Sequence, residues 1–162
     1  MKKWPFVATV VVGVVILDQV TKWWIRDTLP LYSSFAVIPD LFNITHVRNP
    51  GGAFNLLARS HEKFRVPFFL SMTAVAIAAL LYFLRELRDS QRVLTFAVAG
   101  VLGGAVGNLI DRVSLGEVVD FLDVYWGTHH WPAFNVADSF ITVGVVVLLV
   151  HSVFWPGGHS EN

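Results

Sequence analysis

Four long apolar runs dominate the chain, from Trp4 to Ile25, Val66 to Leu84, Val93 to Ile110 and Val136 to Phe154. Each approaches the roughly 20 residues that a helix needs to cross the hydrocarbon core of a bilayer. None carries the charged stripe of a soluble amphipathic helix, so each is expected to be apolar all round. Two polar regions, about 26–65 and 111–135, and one short charged loop from Arg85 to Arg92 separate them. Within the first polar region, Phe42-Asn43-Ile44-Thr45-His46-Val47 alternates apolar and polar residues and runs into Asn49-Pro50-Gly51-Gly52, the pattern of a strand entering a turn. The prediction is an α-helical integral membrane protein with four transmembrane helices and a small β-sheet at the membrane surface. No repeat or linker divides residues 1–162, which reads as a single membrane-embedded domain.

Composition agrees with this pattern, since 54% of residues are hydrophobic and only 15% are charged. A formal net charge of zero without a contiguous basic block leaves no electrostatic footprint for nucleic acid. The absence of cysteine removes disulfides, thiolate metal sites and a thiol nucleophile together. Lys2 and Lys3 before the first run imitate a signal peptide, but no small-residue cleavage site follows Leu17 and the apolar character resumes through Trp23, Trp24 and Ile25. The first helix is therefore expected to stay, with its tryptophans in an interfacial belt. If two helices cross between them, Lys2, Lys3 and the arginine-dense 85–92 loop share a side, and the positive-inside rule puts both termini in the cytoplasm. Arg26, Arg48, Arg59, Lys63, Arg65 and Arg112 fall on the other side, so density in short loops carries the orientation.

An ionisable group inside a span costs at least about 2.5–3.5 kcal/mol on insertion scales, so each one calls for a partner or a function. Asp18 and Lys22 share a helix face in the outer part of the first span, with Gln19 and Thr21 beside them, and can form an internal ion pair or part of a site. The third span carries Gly100, Gly103, Gly104 and Gly107 for close helix packing and ends Asn108-Leu109-Ile110-Asp111-Arg112. Asp111 and Arg112 can cap that helix at the surface; Asn108 needs a polar cavity. Asn135 can serve as N-cap of the fourth span, where the helix dipole favours Asp138.

Asp120, on the same side of the membrane, makes a pair of carboxylates conceivable. Two close carboxylates share a proton, so one can activate water while the other protonates a carbonyl, the aspartic peptidase arrangement. Asp123 and Asp111 are rival members that spacing alone leaves open. The histidines lack the spacing of a zinc peptidase, and neither a Gly-x-Ser-x-Gly elbow nor a phosphate loop occurs, so no metal or cofactor is expected. A transporter is disfavoured because Val66 to Leu84 carries only Ser71, Thr73 and Tyr82 as polar groups. A non-catalytic scaffold would tolerate substitution of the aspartates.

Five blocks in order resemble the motif set of the lipoprotein signal peptidase (signal peptidase II) family. They are Asp18-Gln19-Val20-Thr21-Lys22, Asn49-Pro50-Gly51-Gly52-Ala53-Phe54, Gly107-Asn108-Leu109-Ile110-Asp111-Arg112, Val118-Val119-Asp120-Phe121 and Pro132-Ala133-Phe134-Asn135-Val136-Ala137-Asp138. The resemblance implies a four-helix aspartic endopeptidase of the bacterial inner membrane with a periplasmic sheet cradle. Its implied substrate is a diacylglyceryl-modified prolipoprotein, cut on the amino side of the lipobox cysteine at the outer leaflet. It implies Asp120 and Asp138 as the catalytic dyad, supported by Asp18, Lys22, Asn49, Gly51, Asn108, Asp111, Arg112 and Asn135. Membrane lipids are the other expected partner, and the protein is expected to act as a monomer.

Overall fold

In the computed structural model, which describes residues 2–51 and 61–154, four long helices carry a small antiparallel sheet at one end. Helix α1 spans Lys3–Thr28, α2 Glu62–Glu86, α3 Arg92–Leu115 and α4 Val136–Phe154. All four are long and apolar enough to cross a membrane. They exceed the sequence-derived spans at several ends because helices continue into the interface once the bilayer has been crossed. The largest extension is at α3, which passes Ile110 and stops only where Gly116 adopts a left-handed φ of 73° and returns its N–H to the Arg112 carbonyl at 3.1 Å.

Helix α3 is the hub and packs against α1, α2 and α4. Lipid offers no hydrophobic drive between helices, so close packing has to hold them. Gly104 and Gly107 allow it: a Cβ on Gly104 would run into the Ala137 carbonyl oxygen of α4, and one on Gly107 would sit 2.6 Å from Asp18 Oδ2 of α1. Outward-facing large apolar side chains such as Ile16, Val75, Leu81, Val146 and Leu149 stay exposed, as a lipid-solvated surface requires. Trp23 and Trp24 are likewise exposed near the sheet end of α1.

Strands β1 (Ser34–Ile38), β2 (Phe42–Asn49), β3 (Val118–Trp126) and β4 (His129–His130) lie in that order, all antiparallel. The alternating stretch from Phe42 to Val47 is thus a strand, as its pattern predicts. Val47 pairs with Asp120 and Asn49 with Val118, with a bulge in β2 between Ile44 and Val47. Beyond β4, Phe134 bridges back to Leu122. Buried Ile25, Val119 and Phe121 fasten the underside of the sheet to α1. A second cluster, centred on Leu84, Val98 and Leu102, closes the opposite end of the bundle. Gly52, Ala53, Phe54, Arg59 and the tail after Phe154 lie outside the described residues.

Candidate active site

The polar residues of the spans converge where α1, α3, the start of α4 and β3 meet. Asp18 and Lys22 form the i,i+4 pair that their spacing allows, 2.9 Å apart. The pair is not self-contained, because Lys22 also bonds Asp111 Oδ2 at 3.0 Å and Asn108 Oδ1 at 2.9 Å. Asp18 and Lys22 are 0% and 1% exposed, so this cation must be neutralised within the protein. Asp18 Oδ1 in turn accepts the Ala137 N–H at 2.9 Å, and Asp111 Oδ2 accepts the Val119 N–H at 3.0 Å. The ionic cluster therefore ties α1 and α3 to the first turn of α4 and to β3. Asp111 is not a surface cap; with α3 running on to Leu115, it lies a turn inside the helix and is buried.

Gln19 completes this cluster, its Nε2 reaching Asp18 Oδ2 and Asp111 Oδ1 at 3.1 Å each and the Gly107 carbonyl at 3.2 Å. Sequence reasoning noted Gln19 without giving it a role. An uncharged amide inside an apolar run was the signal.

Above the ionic cluster sit Asp120 and Asp138, each held by amides. Asn135 Nδ2 donates to Asp120 Oδ1 at 2.7 Å, and Asn49 Nδ2 to Asp120 Oδ2 at 3.1 Å. Asn108 Nδ2 donates to Asp138 Oδ1 at 2.8 Å. Asn135 is also the N-cap of α4, its Oδ1 accepting the Asp138 N–H at 2.9 Å, while the Asp138 carboxylate reaches back to the Asn135 N–H at 3.4 Å. One residue therefore begins the helix that carries Asp138 and grips Asp120. Burial and the charge of Asp138 push Asp120 up to about 7, against the pull of the Asn49 and Asn135 hydrogen bonds and of Lys22.

A cavity of about 610 Å³ opens beside Asp138 and the Asp120 partner Asn49, lined also by Asn108, Arg112, Trp131 and Phe134 among others. Arg112 lies over the Phe69 ring at 5.1 Å and donates to the Asn108 carbonyl at 3.4 Å and the Gly51 carbonyl at 3.5 Å. Gly51 itself donates its N–H to Asn49 Oδ1 at 3.0 Å, which turns the Asn49 amide toward Asp120. A second, apolar cleft between α3 and α4, lined by Phe96, Gly100, Phe140 and Val147, shares Ser139 and Val143 with this cavity.

All ten candidate site residues lie in this connected assembly. Asp123 does not join it. Its carboxylate takes hydrogen bonds from Asn43 at 2.9 Å and pairs with His130 at 2.8 Å, and the His130 ring stacks on Tyr125. Trp131 escaped the sequence reading, and Phe134, Val119 and Ala137 stood in the motif blocks without a role, because nothing in their identity distinguishes them from ordinary apolar positions.

The geometry agrees with comparisons to known proteins. A family model described as signal peptidase (SPase) II matches residues 10–154. The chain is similar to the lipoprotein signal peptidase of Geobacter metallireducens, with 54% identity over 85% of this chain and 84% of that protein. It is 53% identical to that of Geobacter sulfurreducens over 89% of each. A solved structure described as a bacterial membrane enzyme, determined by the in meso method at 2.3 Å resolution, superposes with a TM-score of 0.85 at 35% identity, covering 100% of this chain and 98% of that one. The chain therefore belongs to the signal peptidase II family, the lipoprotein signal peptidases of aspartic peptidase family A8.

Proposed function

We propose that Asp120 and Asp138 are the catalytic dyad of this peptidase, and that it cleaves diacylglyceryl-modified prolipoproteins on the amino side of the lipobox cysteine. The observation that carries the reading is a buried carboxylate, Asp120, and a half-buried one, Asp138, on different elements, held by linked amides at a cavity that Asp138 lines. With one proton between them, the ionised member takes a proton from water as it attacks the scissile carbonyl, and the other donates to the carbonyl oxygen. Roles then reverse as the leaving amine is protonated. Asn49, Asn108 and Asn135 hold the carboxylates, with Asp18, Lys22 and Asp111 beneath them. Arg112 presents polar groups to the peptide at the cavity, steadied by the Gly51 carbonyl.

The protein acts as a monomeric, single-domain enzyme with both termini in the cytoplasm and the dyad at the periplasmic face of the inner membrane. Lys3 Nζ donates to the Arg85 carbonyl at 3.2 Å, so the amino terminus and the arginine-dense loop share one end of the bundle, while the sheet and both aspartates occupy the other. The apolar cleft between α3 and α4 gives an acyl chain of the substrate a path from the dyad into the membrane. Purified protein in detergent should cleave a diacylglyceryl-modified prolipoprotein and spare the same polypeptide without lipid. Equal cleavage of both would remove the lipid from the proposal.

A further inference from the structure

An asparagine amide can turn over without changing shape, so some neighbour must decide which end of Asn108 faces Asp138. Lys22 cannot accept a hydrogen bond, because an ammonium carries three donors and no acceptor. All three are used, on Asn108 Oδ1, Asp18 Oδ2 and Asp111 Oδ2, at 2.9, 2.9 and 3.0 Å. With its oxygen held, Asn108 points Nδ2 at Asp138 Oδ1, 2.8 Å away. The same oxygen accepts from Asn135 Nδ2 at 3.2 Å, and that nitrogen also donates to Asp120 Oδ1 at 2.7 Å. At the other end of its amide, Asn135 Oδ1 takes the Asp138 N–H at 2.9 Å. Turned the other way, Asn108 would set its NH2 against the ammonium and the Asn135 NH2, and its oxygen against a carboxylate. Lys22 is 1% exposed, so solvent cannot relieve that conflict.

We propose that Lys22 is a positioning residue for the reaction, acting through Asn108 to fix the direction of the Asn108 and Asn135 amides, two of the three that hold Asp120 and Asp138. The ion pairs with Asp18 and Asp111 hold the ammonium in place, and its third proton sets the polarity of the site. This rests on Asp120 and Asp138 being the reacting pair.

A double-mutant cycle separates this role from a purely structural one. Lys22→Met should lower kcat by about 10²-fold, the scale of a misplaced catalytic group, with KM nearly unchanged. Asn108→Leu should do the same, and the double variant should be little worse than either, because Lys22 has nothing left to orient. Lys22→Gln, which keeps a donor for the Asn108 oxygen, should recover part of the loss. Loss of the cation should also move the alkaline limb of the activity profile to higher pH, since Lys22 holds Asp120 down. Should Lys22→Met fail to fold, Asp18→Asn/Lys22→Met removes the ammonium with one of its anions and takes its place in the cycle. Losses that multiply, to about 10⁴-fold, or a Lys22 variant with unchanged kcat, would overturn the proposal. Wild-type cleavage of the lipid-modified substrate and silence of Asp138→Asn test the underlying reading separately.

Discussion

Asp120 and Asp123 stand three residues apart on β3 and turn to different partners, Asp120 to Asn49 and Asn135 and Asp123 to Asn43 and His130. Side chains alternate along a strand, so an odd separation sends them to opposite faces of the sheet. Asp120→Asn and Asp138→Asn should therefore each lower kcat by about 10²–10⁴-fold or more, with expression and substrate binding retained, because the amide keeps the shape but cannot transfer the proton. Asp123→Asn should leave cleavage of a lipid-modified substrate nearly intact. An inactive Asp123→Asn beside an active Asp138→Asn would reassign the dyad.

The pH profile should report Asp120. A dyad that works with one proton loses activity as that proton leaves, so kcat/KM should fall as pH rises through about 7. Asn49→Ala removes a hydrogen bond that favours the ionised form, and the falling limb should move to higher pH. The sign for stability is the same: a carboxylate raised on folding binds more protons in the folded state between its ordinary value of 3.8 and about 7. The Asp120 contribution to stability is therefore lost as pH rises across that window. Thermal melts from pH 4 to 8, compared with Asp120→Asn, check it.

Asp18 should matter for folding more than for chemistry. Removing it strips a buried cation of one of its two anions and leaves the Ala137 N–H without an acceptor. Asp18→Ala should cost about 3–5 kcal/mol, read as a large loss of melting temperature in detergent. An unchanged melting temperature would mean that the ionic cluster does not hold the helices together.

Membrane orientation can be read with reporters. A reporter active only in the cytoplasm should work when fused within Arg85 to Arg92 and fail within His61 to Lys63, at opposite ends of α2. The reverse pattern would put the sheet and the dyad in the cytoplasm.

Filling the apolar cleft should select among acyl chains. A side chain at position 100 would project toward Phe140, where a Cβ already lies 3.4 Å from Cδ1. Gly100→Phe should raise KM for long-chain substrates by about 10-fold, the worth of roughly two buried methylenes, and spare short-chain ones. A uniform effect across chain lengths would place the chains elsewhere.

The spans were legible because length and unbroken apolarity decide them, and β2 because its side chains alternate. Strand β3 was not, since Val118, Val119, Phe121 and Leu122 are apolar on both faces of a buried strand and lose the alternation. Spacing placed Asp18 beside Lys22 but could not reveal Asp111, which arrives from another helix, as a second anion on the same ammonium. Reading Asp111 as a surface cap took the helix to stop near Ile110; Gly116, a ready left-handed cap, was the overlooked cue. The choice between Asp120 and Asp123 depended on strand register and stayed open until the motif resemblance favoured Asp120.

The double duty of Asn135 has a consequence for biogenesis. The residue that starts α4 is also the one that grips Asp120, so winding the last helix and bringing Asp138 to Asp120 are one event. With Asp120 and Asp138 as the proposed dyad, a chain paused before α4 would lack its second carboxylate and should be proteolytically silent. With that dyad, the order in which the chain is made would itself keep a nascent hydrolase inactive until the last helix is wound.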